Sequence, residues 1–155
     1  MAGVVEQIVI RPVREELPVS VESVEALAGR GLEGDCYLAP EPTDRKGKDI
    51  TLIEAEALET LKAEPGIRLS HLESRRNVLT RGIRLNDLVG KRFRVGAAEC
   101  VGVVLNEPCA HLESLTQPGV LRGLVHRGGL RANIVAGGTI SVGDEVDAIA
   151  APAPA

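Results

Sequence analysis

The chain has 155 residues, a formal net charge of −4, and a hydrophobic content of 44% with no Trp, one Tyr and one Phe. A core must therefore be built from Val, Leu, Ile and Ala, and the aliphatic content is too high for general disorder. Base-stacking nucleic-acid modules and aromatic cages for cations need exposed rings that this chain lacks, and the acidic balance argues against polyanionic partners and anionic membranes.

Taken in chain order, Val4–Ile10 reads as a strand, ended by Pro12 and the Glu15-Glu16 pair. Val19–Leu27 alternates apolar and polar positions and reads as one half-buried strand. Gly29–Asp35 (GRGLEGD) is glycine punctuation, and Pro40–Asp49, with two prolines and six charges, is expected to be an exposed, mobile loop. Ile50–Ile53 reads as a strand. Glu54–Glu64 reads as a helix, with acids at its start and Pro65-Gly66 at its stop. Asn77–Thr80, Lys91–Val95 and Glu99–Leu105 read as strands, with Leu85–Gly90 as a turn or single helical turn. Asn106-Glu107-Pro108 opens a helix to about Leu115, with Asn106 as a cap, and Val120–Val125 suggests a third short helical piece. Ala132–Ala136 and Glu145–Ile149 close the chain as strands, and the Ala/Pro tail 150–155 is expected to be disordered.

Short strands, many glycines and two or three short helices predict a mainly β, closed β-barrel, as a single domain over residues 1–149. The N-terminus is too short and polar in its apolar run for a signal peptide, and no run approaches membrane-spanning length, so a cytoplasmic location is expected. Three cysteines without CxxC spacing argue against a disulfide framework and a structural zinc site.

Charge is distributed unevenly. Residues 1–74 carry 15 acidic and 8 basic side chains, and residues 75–155 carry 7 and 10. Seven basic residues against one acid, Asp87, fall within Arg75–Arg94. A local basic cluster on an acidic chain suits a small anionic ligand; a solvated basic face reads equally well from charge alone. Cys109 is the foremost candidate for chemistry. It follows Pro108 in the first turn of an expected helix, where unpaired N–H groups favour a thiolate, and His111 lies two residues on. Such a thiolate can ligate a soft metal or carry sulfur as a persulfide, whereas a buried structural cysteine is the plainer reading. Cys100, inside an expected strand, reads as packing, and Cys36 as a residue at the edge of the loop.

Arg76 and Asn77 precede a strand. Arginine can fork onto phosphate and Asn can bond a heterocycle, against the alternative of a surface ion pair for the arginine. His126, Arg127 and Arg131 surround Gly128-Gly129, whose N–H groups either cradle an anion or form a tight turn. Asp35, with Glu33, is a weak carboxylate pair in a Gly-Asp turn, and His71 has no partner in sequence.

The ordered set GLEGD (31–35), DITLIEAEAL (49–58), RRN (75–77), GIRLNDLVGKRFRVG (82–96), EPCAHLE (107–113), HRGG (126–129) and GTISVGDEV (138–146) resembles a MOSC domain, over about residues 4–149. The family is known from the C-terminus of molybdenum cofactor sulfurases and from stand-alone bacterial proteins. The resemblance implies a closed barrel of MOSC, pyruvate-kinase-barrel-like type and binding of a molybdopterin-type molybdenum cofactor. It makes Cys109 the molybdenum ligand or persulfide sulfur carrier, and sets Arg76 and Asn77 near the pterin and phosphate. Asp35, His111, His126, Arg127, Gly128, Gly129 and Arg131 complete the expected cofactor-binding set.

Fused members carry a separate pyridoxal-phosphate desulfurase domain, and no pyridoxal-phosphate site is evident in this chain. Related stand-alone reductases tend to place a basic residue after the Gly-Asp, where this chain has Cys36. The expected activity is reduction of N-hydroxylated compounds with a separate electron donor. The alternatives are cofactor or sulfur delivery with a donor or acceptor protein, and a non-catalytic small-anion-binding module. If the site is real, Cys109, Arg76, Asn77, Arg127 and His126 converge on one pocket. Phe93 belongs in the core, and Tyr37 can face that pocket.

Overall fold

The computed structural model describes residues 2–63, 66–108 and 110–149. Cys109 and the Ala/Pro tail, and with them two of the expectations above, lie outside the described residues, as does the His111 ring.

Among the described residues eleven strands form: β1 (Gly3–Ile10), β2 (Val19–Val21), β3 (Ser23–Leu27), β4 (Gly31–Leu32), β5 (Ile50–Glu54), β6 (Val78–Arg81), β7 (Arg92–Val95), β8 (Ala98–Leu105), β9 (Leu130–Ala136), β10 (Gly138–Ser141) and β11 (Glu145–Ala148). Seven of them close into a barrel in the order β1-β6-β5-β9-β8-β7-β11, with β11 pairing back onto β1 through Gly3↔Val146 and Val4↔Glu145. Closure removes the open edges that a sheet of this size would otherwise expose. The mainly β, closed-barrel expectation therefore holds.

The interior is filled by the aliphatic side chains the composition demanded. Ile8, Ile50, Leu52, Val78, Leu130 and Ile134 are buried there with Phe93. Expected strands appear within a residue or two of their positions, with one informative exception. Val19–Leu27 is two strands, not one: β2 pairs with β1, whereas β3 leaves the barrel to join β10 and β4 in a small antiparallel flap. Glu22 is the corner, its carbonyl held by the Val142 N–H.

Six of the seven barrel pairings are antiparallel; β5–β6 is parallel. A parallel pair needs a crossover rather than a hairpin. Here the crossover contains the helices α1 (Ala55–Ala63) and α2 (His71–Ser74). Helix α1 buries Ala55, Ala57 and Leu61. A second small core gathers Leu61 and Leu69 with Leu112 of α3 (Ala110–Leu115) and Val120 of α4 (Val120–Gly123), adding Leu124 beyond α4. Helices α1, α3 and α4, with the segment leading into α2, thus share one small core beside the barrel.

The 40–49 stretch, expected to be exposed and mobile, has no regular structure but is tied along its length. The Arg45 guanidinium bonds the Asp49 carboxylate at 2.9 Å and the carbonyls of Lys48 and Tyr37. The Gly47 N–H donates to Asn133 Oδ1 at 2.8 Å. Among the described residues no helix is long and apolar enough to cross a membrane.

Candidate functional site

Arg75, Arg76 and Asn77 lie where α2 meets β6. Helix α2 starts on a capping box, with the Ser70 hydroxyl accepting from the Glu73 N–H and the Glu73 carboxylate accepting from the Ser70 N–H. It stops at Arg75, which takes the left-handed conformation at φ 61°. That reversal separates the roles of the two arginines.

Arg76 turns inward and is only 7% exposed. Its guanidinium donates to the carbonyls of Gly128 (2.8 Å), Asn106 (2.9 Å) and Ser74 (3.1 Å). These three carbonyls take up buried N–H groups of the guanidinium. Asn77 is a strand tie. Its Oδ1 accepts from the N–H and hydroxyl of Thr51, and its Nδ2 donates to the Val9 carbonyl, joining β5, β6 and β1.

At this end of the barrel opens a cleft of about 460 Å³. Arg75 and Arg76 line it with Arg131 of β9, Lys48 ahead of β5, and Arg11 and Arg14 beyond β1. Leu112 and Leu115 of α3 give it an apolar wall. No carboxylate is among its described lining residues. A smaller cavity of about 100 Å³ adjoins it, sharing Arg11, Tyr37, Lys48, Thr51 and Arg75 as walls and adding Asp35 and Asn77.

Tyr37, half-exposed, stands at the junction. Its hydroxyl accepts from Arg11 Nη2 at 2.7 Å, and the Arg11 and Arg14 guanidiniums lie 5.3 and 5.6 Å from its ring centroid. These are cation–π distances. Asp35 accepts from the backbone N–H of Arg11 (2.8 Å) and of Tyr37 (3.3 Å), fixing both where they bound the cavity.

Asn106 is the node of the site. Its carbonyl accepts from Arg76, its side-chain oxygen accepts from Arg131 Nε at 3.1 Å, and its N–H donates to the Gly129 carbonyl. It was expected as a helix cap; its oxygens instead hold two arginines. Asn106 and Leu112, three residues before and three after Cys109, both line the cleft.

The HRGG turn does something different from what its sequence suggests. A Cβ on Gly128 would lie 2.2 Å from the Asn106 carbonyl oxygen, and one on Gly129 would lie 1.9 Å from that of Leu52. The close backbone approach that adjacent glycines permit is therefore made to this chain itself. His126, at φ 60°, bonds Glu107 through both its backbone N–H (2.7 Å) and ring Nδ1 (2.8 Å). With Arg127 it lines a separate cleft beside Glu54 and Glu56. The structure thus brings Arg76, Arg131, Asn77 and Asp35 to one connected cleft and places His126 and Arg127 in another.

Among the remaining cysteines, Cys100 is fully buried. Burial, reinforced by the charges of Asp49 and Glu99, pushes its thiol up to about 12. Cys36 is partly exposed. Arg11, Arg14 and Lys48 were not singled out by sequence reasoning. The available signal was a cation just after one strand end and another just before the next.

The fold and site together define a closed β-barrel with a cation-lined cleft at one end. The chain belongs to the MOSC domain family, which matches residues 40–147 and is linked to the molybdenum cofactor. No curated protein matches its sequence. Among solved structures it is similar to the YuaD protein from Bacillus subtilis, with a TM-score of 0.82, 17% identity and 98% of each chain covered. It is also similar to YiiM from Geobacillus stearothermophilus (TM-score 0.73, 13% identity, 96% of this chain and 75% of that one). YiiM from Escherichia coli gives a TM-score of 0.72 at 16% identity, over 99% and 72% of the two chains. At these identities the likeness shows a shared fold.

The described residues fit the anionic part of a molybdopterin-type cofactor. Six cationic side chains face a cleft of ordinary small-ligand volume, and the fold holds Arg76 and Arg131 there through Asn106.

Proposed function

We propose that this protein binds a molybdopterin-type molybdenum cofactor in the cationic cleft, with Cys109 as the metal ligand or persulfide sulfur carrier. The observation that supports it most is the row of cations without a lining carboxylate among the described residues, flanked in sequence by that cysteine. Arg75, Arg131, Lys48 and Arg11 are the residues that hold the phosphate end, as charge-assisted N–H donors in a partly enclosed site. Leu112 and Leu115 shield the apolar face of the ligand from water. Arg76 acts mainly on the protein: it fixes the Asn106 and Gly128 backbones, and so the entry to the segment that carries Cys109.

When bound, the cofactor supplies a redox-active metal with an exchangeable sulfur ligand. The activity we propose is two-electron reduction of an N-hydroxylated compound, RNHOH to RNH2 and water. A separate reductase protein supplies the electrons and solvent the two protons. Because the cleft holds the cations, the substrate need carry no charge of its own.

The test is purification from a host that makes the cofactor, followed by metal and pterin analysis. Bound molybdenum and pterin are expected in near-stoichiometric amounts. Cys109→Ser should lose the metal, Cys100→Ser should keep it, and a double Arg75→Ala/Arg131→Ala variant should lose the pterin. Absence of both metal and pterin from the folded wild-type protein overturns the proposal. Turnover of a hydroxylaminopurine with a supplied reductant tests the reaction; cofactor bound without turnover favours delivery of cofactor or sulfur instead.

A further inference from the structure

We infer that Glu107 is a positioning residue for Cys109: its carboxylate grips His126 and so fixes the three residues that lead into that cysteine. The inference goes beyond the cofactor reading and rests on it only for what Cys109 does. Two observations carry it: how the 106–108 segment is tied, and how exposed the Glu107 tie is.

Residues 106–108 are fastened to the 126–129 turn one after another. The Asn106 N–H donates to the Gly129 carbonyl at 2.8 Å, and the Asn106 and Gly128 carbonyls accept from the same Arg76 guanidinium. Pro108 lies against Gly128, where a Cβ would stand 3.1 Å from its Cδ. Between them, Glu107 holds one residue with both oxygens. Its Oε1 accepts the His126 N–H at 2.7 Å, and its Oε2 lies 2.8 Å from His126 Nδ1. Cys109 is the next residue after Pro108. On its other side in sequence, Leu112 of α3 is anchored in the small core.

His126 is held in a conformation it would not take alone. At φ 60° it stands in the left-handed region, which is costly for a residue with a Cβ and persists where the surroundings impose it. Its N–H goes to Glu107, and its carbonyl accepts from Asn86 Nδ2 at 2.9 Å. Side chains thus hold both polar groups of its backbone. Without the Glu107 carboxylate the N–H loses its partner, His126 is released toward negative φ, and the turn to which Asn106 and Pro108 are fastened shifts with it.

The tie is poorly placed to hold up the fold. The His126 and Glu107 side chains are 74% and 43% exposed, and ion pairs so open to water contribute little to stability. Glu107 therefore governs how the chain enters Cys109 more than whether the barrel folds.

The experiment reads the three thiols separately, by peptide mass spectrometry after timed alkylation of the cofactor-free full chain at fixed pH. Glu107→Ala is expected to speed alkylation of Cys109 at least fivefold, because a segment freed of its ties opens more often, and to leave Cys36 within twofold of wild type. Glu107→Gln, which keeps an oxygen for the His126 N–H, should restore most of the wild-type rate. Glu59→Ala, which removes another exposed ion pair, with Arg81, should change nothing at Cys109. In protein purified from a host that makes the cofactor, Glu107→Ala should lower molybdenum at least fivefold while pterin stays within twofold, since the cations of the cleft are untouched.

An unchanged Cys109 rate in Glu107→Ala overturns the inference and leaves the cofactor reading standing. So does a parallel rise at Cys36 and Cys109, which would make the tie a general support of the fold. A wild-type protein without molybdenum or pterin overturns the cofactor reading instead, and the alkylation rates still decide the role of Glu107.

Discussion

His71 is the most exposed to circumstance of the single residues, because it is buried without a partner. It is 4% accessible, and among the described residues neither ring nitrogen has a hydrogen bond. Burial lowers its pKa from 6.5 to about 4, against an opposing effect of the Arg76 backbone, which stands outside hydrogen-bond geometry. The neutral form is therefore the folded form. Below about 6.5 the unfolded chain takes up a proton that the folded chain refuses, so stability is full above 6.5 and is lost as pH falls toward 4. That loss amounts to about 3 kcal/mol from this group. Urea unfolding of wild type and His71→Leu across pH 4–7 is expected to show a shallower pH dependence in the variant. Parallel curves would assign the acid sensitivity elsewhere. Cys100 gives a second prediction at this scale. Its thiol, pushed up to about 12 inside the barrel, should not react with a disulfide reagent at pH 8 until the protein unfolds. A Cys100→Ser variant with an unchanged native thiol count is the check.

The elements show which parts of this chain can be read locally. Short apolar segments bounded by turn residues located β1, β7 and β8, and helical spacing located α1, because those patterns depend on neighbours in sequence. The break at Glu22 shows in the sequence only as a slip of the alternation, from Val19 and Val21 to Val24 and Ala26; the partners of the two halves do not show, since β2 finds β1 and β3 finds β10 only in the fold. The site divides in the same way. Arg76, Asn77 and Arg131 were picked out as candidates from the sequence and lie at one end of the barrel, whereas Arg11, Arg14 and Lys48 join them there only through strand pairings across the ring. The diglycine was legible as close approach, though not as approach to Asn106 and Leu52. That contact gives the element-scale prediction. Gly129 sits at φ 103°, and any Cβ there would meet the Leu52 carbonyl oxygen. Gly129→Ala should cost about 3 kcal/mol or more through strain and displacement of β5. Arg76→Met, which strips charged donors from three carbonyls, should cost about 3 kcal/mol. Thermal unfolding measures both, and a change under 1 kcal/mol in either contradicts the packing described.

At the scale of the whole molecule, the barrel is sealed by partners from its two ends: Gly3 and Val4 against Val146 and Glu145. Removing β11 would reopen both β1 and β7, so a chain cut after Ser141 should fail to give protected amides in β1 by hydrogen exchange, although every residue of β1 is still present. The same seam sets a clock on biosynthesis. At ribosomal speeds of about 5–20 residues per second, β1 emerges roughly 7–28 seconds before the strand that completes it. During that interval its outer edge near Gly3 lacks its native neighbour. The nascent chain must pass through this period with an adhesive edge uncovered, and the polar Glu6 and Gln7 within an otherwise apolar strand are where it is least able to attract another copy.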